Sequence, residues 1–173
     1  MQDMFLETER LYLRRMSYDD FAVLNEMLSN PKVMYAWEYT FSEQDVKNWI
    51  SKNLAKYQQH SLGYFLVCDK NTNQVLGQAA LMPDEIDGRL YYEIGYIFKP
   101  ENWHKGYAAE CVKFLADYAF TKLNVNEVIF EIKPDNIASI KVAEKSGAKV
   151  CGSFYKNVRG KRMKHLIFKL KKS

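Results

Sequence analysis

Tyr92-Glu93-Ile94-Gly95-Tyr96-Ile97-Phe98-Lys99-Pro100-Glu101-Asn102-Trp103-His104-Lys105-Gly106-Tyr107-Ala108-Ala109-Glu110 reads as a strand, a short loop and the opening of a helix. Leu90–Phe98 is the most strand-like run of the chain, rich in Tyr and Ile. From Gly106 to Leu123, the residues Ala108, Cys111, Val112, Leu115 and Ala119 share one helical stripe. Glu127–Ile132 reads as the next strand, so 90–132 predicts a right-handed parallel crossover. The first turn of a helix carries free N–H groups and a partial positive charge, which together hold a phosphate. Gly106 lets backbone approach such an anion, Ala108 keeps the mouth open, and His104 and Lys105 add charge. Taken alone, a glycine before a helix is more often a plain loop residue.

Outward from this unit the elements alternate. Leu11–Met16 reads as a first strand. Ser17 with Asp20, and Ser42 with Asp45, have capping-box spacing. Each precedes an amphipathic stretch: Phe21, Leu24 and Leu28, then Val46, Trp49, Ile50, Leu54 and Tyr57. Pro31 is expected to end the first helix or follow its end. Between the helices lie Tyr35, Trp37, Tyr39 and Phe41, either core or the wall of a cleft. Tyr64–Asp69 and Gln74–Leu81 predict a hairpin turning at Asn71-Thr72-Asn73, and Asp84–Arg89 a polar loop. Asn136–Ser146 is a helix with Gly147 at its C′ position. Lys149–Val158 and Lys161–Leu170 form a last hairpin turning at Arg159-Gly160. The expected class is a mixed, mostly antiparallel α/β sheet of about seven strands with about four helices. It forms a single domain over 1–173.

Composition narrows the function. The chain has 173 residues, 47% hydrophobic and 27% charged, which excludes a disordered polymer. No apolar run has membrane-span length. Cys68, Cys111 and Cys151 are odd in number, widely spaced and expected as buried thiols. With a polar start, MQDMFLETER, they point to the cytoplasm. His60, His104 and His165 have no zinc-ligand spacing, so no metal is expected. GxSxG and GxxxxGK[ST] are both missing, which removes the main support for a serine hydrolase or a P-loop enzyme. The net charge of +4 hides a split: residues 1–144 hold fifteen bases and twenty-one acids, residues 145–173 ten bases and no acid. A solvated face, an anionic ligand and nucleic acid are the three readings of that basic end.

Several motifs together resemble the GNAT superfamily of acetyl-CoA-dependent N-acetyltransferases, and within it the RimJ/RimL-type ribosomal-protein branch. Trp103-x-x-Gly106-x-Ala108 is similar to the pyrophosphate loop Q/R-x-x-G-x-G/A, with the branch's Trp in first place. Glu7-Thr8-Glu9-Arg10-Leu11-Tyr12-Leu13-Arg14 is similar to the branch's start. Glu93-Ile94-Gly95-Tyr96 is similar to its central strand. Asn136-Ile137-Ala138-Ser139 followed by Glu144-Lys145-Ser146-Gly147 is similar to its later motif. The resemblance runs from about Glu7 to Leu170.

It implies transfer of acetyl from acetyl-CoA to a primary amine by direct attack in a ternary complex. The acceptor would be a protein N-terminus or a small amine, with no specific nucleic acid and no membrane as partner. Backbone groups of Tyr96, Ile97 and Phe98 would pair with the pantetheine arm. Backbone N–H groups from His104 through Lys105, Gly106, Tyr107 and Ala108 to Ala109 would hold the pyrophosphate. Tyr35, Trp37 and Glu38 would lie on the acceptor side. An alkylammonium with a pKa of about 10 must lose a proton before attack, and Glu93 is the candidate base or else a surface or salt-bridged carboxylate. Asn136 and Ser139 would face the thioester end; Asn136 also suits a helix cap and Ser139 a bond to its own helix. The family's usual acid is a Tyr seven residues after this Asn, where this chain has Ala143. A non-catalytic CoA-binding module and a basic nucleic-acid-binding module are the competing readings.

Overall fold

The computed structural model describes residues 3–173. Its strands are β1 (Met4–Glu7), β2 (Leu11–Arg14), β3 (Gly63–Asp69), β4 (Val75–Ile86), β5 (Arg89–Phe98), β6 (Glu127–Ile132), β7 (Lys149–Val158) and β8 (Lys161–Lys171). The α-helices are α1 (Phe21–Leu28), α2 (Pro31–Met34), α3 (Glu43–His60), α4 (Tyr107–Lys122) and α5 (Ile137–Lys145). One sheet runs in the order β1-β2-β3-β4-β5-β6-β8-β7. Every neighbouring pair is antiparallel except β5 with β6, which are parallel. This is the expected mixed α/β sheet, with the crossover through α4 joining β5 to β6.

The local chemistry explains the boundaries. Ser42 Oγ accepts from Asp45 N at 3.1 Å, and Asp45 Oδ2 accepts from Ser42 N at 2.9 Å, which starts α3. Ser17 and Asp20 form the same box ahead of a 3-10 turn that runs into α1. Asn71 and Thr72 N–H groups donate to Asp69 Oδ1 and set the β3–β4 turn. Gly147, at φ +101°, follows α5 as expected.

Four expectations are corrected. The sheet has an eighth strand, β1, and a fifth helix, α2, is present. Pro31 follows the end of α1, as expected, and it also opens the unexpected α2 at its first position, because a missing N–H costs nothing there. Asp84–Arg89 is no loop: β4 and β5 pair continuously to Ile86↔Arg89 and turn at Asp87-Gly88, both at positive φ. Pro83 fits inside β4 because β3 ends opposite Leu81 and leaves that stretch without a second neighbour. Cys151 is exposed on β7, while Cys68 and Cys111 are buried.

A buried ion pair ties β2 to the capping box. Arg14 donates to both Asp20 oxygens at 2.8 and 3.0 Å, and both side chains are under 10% exposed. Asp20→Ala removes the partner of a buried guanidinium and the reciprocal acid of the cap. It is expected to cost about 3–5 kcal/mol, read as a lower urea midpoint at unchanged slope. A loss below about 1 kcal/mol would mean that water replaces the carboxylate.

Candidate active site

The parallel pair opens a gap in the sheet. Among the described residues, Glu93 opposite Ile129 is the only register pair joining β5 to β6. Beyond it, Tyr96, Ile97 and Phe98 pair with β4 but have no partner on the β6 side. The gap therefore offers unsatisfied backbone polar groups at the carboxyl ends of two parallel strands. Trp103 Nε1 donates to Phe98 O at 2.8 Å, fastening the following loop to the end of β5 and occupying one lone pair of that carbonyl.

The loop then delivers α4. Gly106 is its N-cap at φ +78°, a conformation that disfavours any side chain. The first bond into the helix is Glu110 N to Gly106 O, so the N–H groups of Tyr107, Ala108 and Ala109 have no helical acceptor. His104, Lys105 and Gly106 are exposed beside them. Arg10, to which the sequence reading gave no role, braces this turn. Its Nε reaches Glu110 Oε2 at 2.6 Å, its Nη1 donates to Lys105 O at 3.0 Å, and its guanidinium lies 4.6 Å from the Tyr107 ring centroid. Burial would raise the Glu110 carboxyl, but hydrogen bonds from Thr8 and Arg10 outweigh it and hold the group below its ordinary value.

The other end of the gap widens into a cleft of about 350 Å³. Glu93 of β5, Glu131 of β6 and Lys156 of β7 line its floor. Trp37, Tyr39, Trp49 and Tyr64 form an aromatic wall; the Trp37 and Trp49 centroids are 6.1 Å apart, and those of Trp49 and Tyr64 are 4.7 Å apart. Val158, Met163 and His165 of the last hairpin face them. Gly95 lies under this wall because a Cβ there would meet Tyr64 Oη at 2.8 Å.

Acidic oxygens of Asp84, Glu93 and Glu131 lie within 4.8 Å of one another, on adjacent strands β4, β5 and β6. Lys156 Nζ is 2.7 Å from Glu131 Oε1, and it supplies countercharge where a cation would otherwise be needed. That contact is not aligned as a hydrogen bond, so both buried Glu131 oxygens lack a donor. Burial raises the Glu93 carboxyl, the Asp84 charge adds to the rise, and Glu131, Lys156 and Lys56 oppose it. Burial raises Glu131 too. Asp84 is pushed up to about 6, first by burial and then by Glu131. Sequence reasoning missed Glu131; the available signal was an acid on the same face of β6 as Ile129.

The remaining expected residues divide. Asn136 Oδ1 accepts from Ser139 N at 3.3 Å, capping α5, and from Tyr35 Oη at 2.9 Å, while the residue still lines the cleft. Ser139 lines it also. Tyr96 Oη donates to Ser139 O at 2.7 Å. Ala143 is fully buried, so its position presents nothing to the cleft. Glu38 lies off the cleft wall because Lys133 and Lys161 hold its carboxylate at 2.8 and 2.7 Å, lowering it to about 2. Tyr35 is half exposed and reaches the cleft only through Asn136.

The hairpin tip explains the charge split. Arg159 pairs with Asp45 at 2.7 Å and lies 3.7 Å from the Tyr39 ring centroid. Lys161, Lys156 and Lys169 pair with Glu38, Glu131 and Glu127. Acids of the first 144 residues thus neutralise part of the basic end by direct contact. Among the described residues, no helix is long and apolar enough to cross a membrane.

A family model described as "Acetyltransferase (GNAT) domain" matches residues 10–149. The uncharacterized N-acetyltransferase p20 of Bacillus licheniformis is 35% identical over 140 residues, 79% of this chain and 78% of that protein. The crystal structure of an acetyltransferase (GNAT family) from Bacillus anthracis superposes with a TM-score of 0.80 at 28% identity, covering 97% of this chain and 98% of that one. Spermidine N-acetyltransferase from Vibrio cholerae, in complex with CoA and spermine, gives a TM-score of 0.73 at 20% identity, covering 94% and 95%.

Proposed function

Because the chain belongs to the GNAT acetyltransferase family, we propose that it moves an acetyl group from acetyl-CoA to a primary amine by direct attack in a ternary complex. The observation that carries this reading is one continuous path. It runs from the unpaired first turn of α4, along the open edge of Tyr96–Phe98, to the buried carboxylate of Glu93. Acetyl-CoA supplies the activated acyl group and a thiolate leaving group.

The chain's residues fit that donor. N–H groups at Tyr107, Ala108 and Ala109 receive the pyrophosphate, with His104 and Lys105 beside it. The open edge of β5 pairs with the pantetheine arm as an added strand would. Glu93 takes the proton from the acceptor ammonium. Its raised affinity for protons suits a group that must be ionised yet still basic. The Ser139 hydroxyl donates to the departing sulfur, in the role that Ala143 cannot fill. The acceptor class extends to amine-bearing small molecules and protein N-termini, and a RimJ/RimL-type role is the protein form of it.

A panel of amines and peptides should release free thiol from acetyl-CoA. Acetyl-CoA at 100 times its Kd should stabilise the fold by about 2.7 kcal/mol. No change in Tm at high acetyl-CoA would remove the donor. Stabilisation without thiol release for any acceptor would make the chain a CoA-binding module without turnover.

A further inference from the structure

The cleft contains two opposite charges without ion-pair partners. Among the described residues, Lys133 is paired with Glu38 and Lys156 with Glu131, but no carboxylate is within salt-bridge reach of Lys56 or cation within reach of Glu93. Lys56 is half-buried, and among the described residues its only polar contact is Met82 Sδ at 3.5 Å. Burial accordingly lowers its proton affinity. The charges of Glu93 and Asp84 offset this only through space, so the ammonium has no anion in direct contact until a ligand brings one. Lys56 shares a face of α3 with Trp49, seven residues and so about 10 Å away. Lys56 and the aromatic wall thus line the same cleft.

We infer that the acceptor is a zwitterionic amine of the α-amino-acid type, its carboxylate bound by Lys56, its amine directed to Glu93 and its apolar side chain against Trp37 and Trp49. This rests on the acetyl-transfer reading above and adds the acceptor's chemistry to it. A polyamine suits the cleft less well: it would bring further positive charge to an unpaired lysine and leave that lysine without an anion. The reaction adds no co-reactant. The ammonium gives one proton to Glu93, the neutral amine nitrogen then forms the amide bond as the carbon–sulfur bond breaks, and its second proton ends on the departing CoA thiolate.

The test compares each standard amino acid with its amide and its decarboxylated amine, in wild type and Lys56→Met. Comparing ratios across the two proteins cancels the differing basicity of the amines. The carboxylate acceptors should lose at least about tenfold in kcat/KM in Lys56→Met, mostly through KM, as expected for a lost charge-assisted bond. Their amides and decarboxylated amines should change less than about twofold in the same comparison. Lys56→Arg should retain most of the preference, and the acetyl-CoA shift in Tm should persist in both variants. Equal losses for all acceptors would mean that Lys56 merely balances the floor carboxylates, and would overturn the inference. So would acetylation of amines alone, or acetyl-CoA binding with no amino acid acetylated. If acetyl-CoA neither shifts Tm nor releases thiol with any acceptor, the acetyl-transfer reading itself has failed.

Discussion

Gly106→Glu is expected to raise KM for acetyl-CoA by about 100-fold, with kcat at saturation far less affected. A hundredfold corresponds to about 2.7 kcal/mol, the scale of two lost charge-assisted hydrogen bonds. Gly106 caps α4 at φ +78°, directly before the three N–H groups that have no acceptor. A Cβ here would find one near neighbour, Arg10 Nη2 at 3.4 Å, so the new side chain has room. That neighbour is also its counterion: the carboxylate would be drawn to Arg10 and held across the anion site, excluding phosphate by occupancy and by like charge. Left-handed geometry adds about 1–2 kcal/mol of strain for any side chain. Gly106→Ala separates the two effects, since it carries the strain without the charge. It should lower Tm about as much as the glutamate does while raising KM only modestly. An unchanged KM for Gly106→Glu would place the pyrophosphate elsewhere.

The local parts of this protein are the legible ones. Ser42 and Asp45 find each other across three residues, and the turn glycines 106 and 147 announce their own backbone geometry. The strand–loop–helix at 92–110 is legible for the same reason, because its chemistry lies within one run of sequence. What escaped depends on distance. Arg10 and Glu110 meet across a hundred residues, and no local pattern marks either as a brace. Glu131 is one acid in an apolar strand, and its meaning comes from Asp84 and Glu93 on neighbouring strands. Lys56 looks like any solvated lysine until the aromatic wall encloses it. The Asp87-Gly88 turn had a local signal, but Pro83 and three acids around it read as a loop. The charge split is likewise partly a matter of distance, because four bases of the last hairpin pair with acids from the first 144 residues.

Glu93→Gln is expected to lower kcat by about 100-fold or more while raising Tm at neutral pH, and the opposite signs identify its role. Glutamine keeps the shape of the side chain and removes the charge that burial penalises. The folded state holds protons on Asp84, Glu93 and Glu131 at pH values where the unfolded chain has released them. Their contribution to stability is therefore fully present below the ordinary carboxylate values and is lost as pH rises through the folded ones. For Asp84 that window runs from the ordinary 3.8 to about 6. Above it, an uncharged side chain at 93 removes repulsion that wild type must bear. The rate follows the same titration in the other direction. Glu93 accepts a proton only once ionised, so kcat/KM in wild type should climb as pH rises through its raised value. Asp84→Asn removes the charge that adds to the rise of Glu93 and should move this limb to lower pH, with kcat on the plateau retained. Were Glu93 only a structural carboxylate, Glu93→Gln would change Tm and leave the rate untouched at every pH.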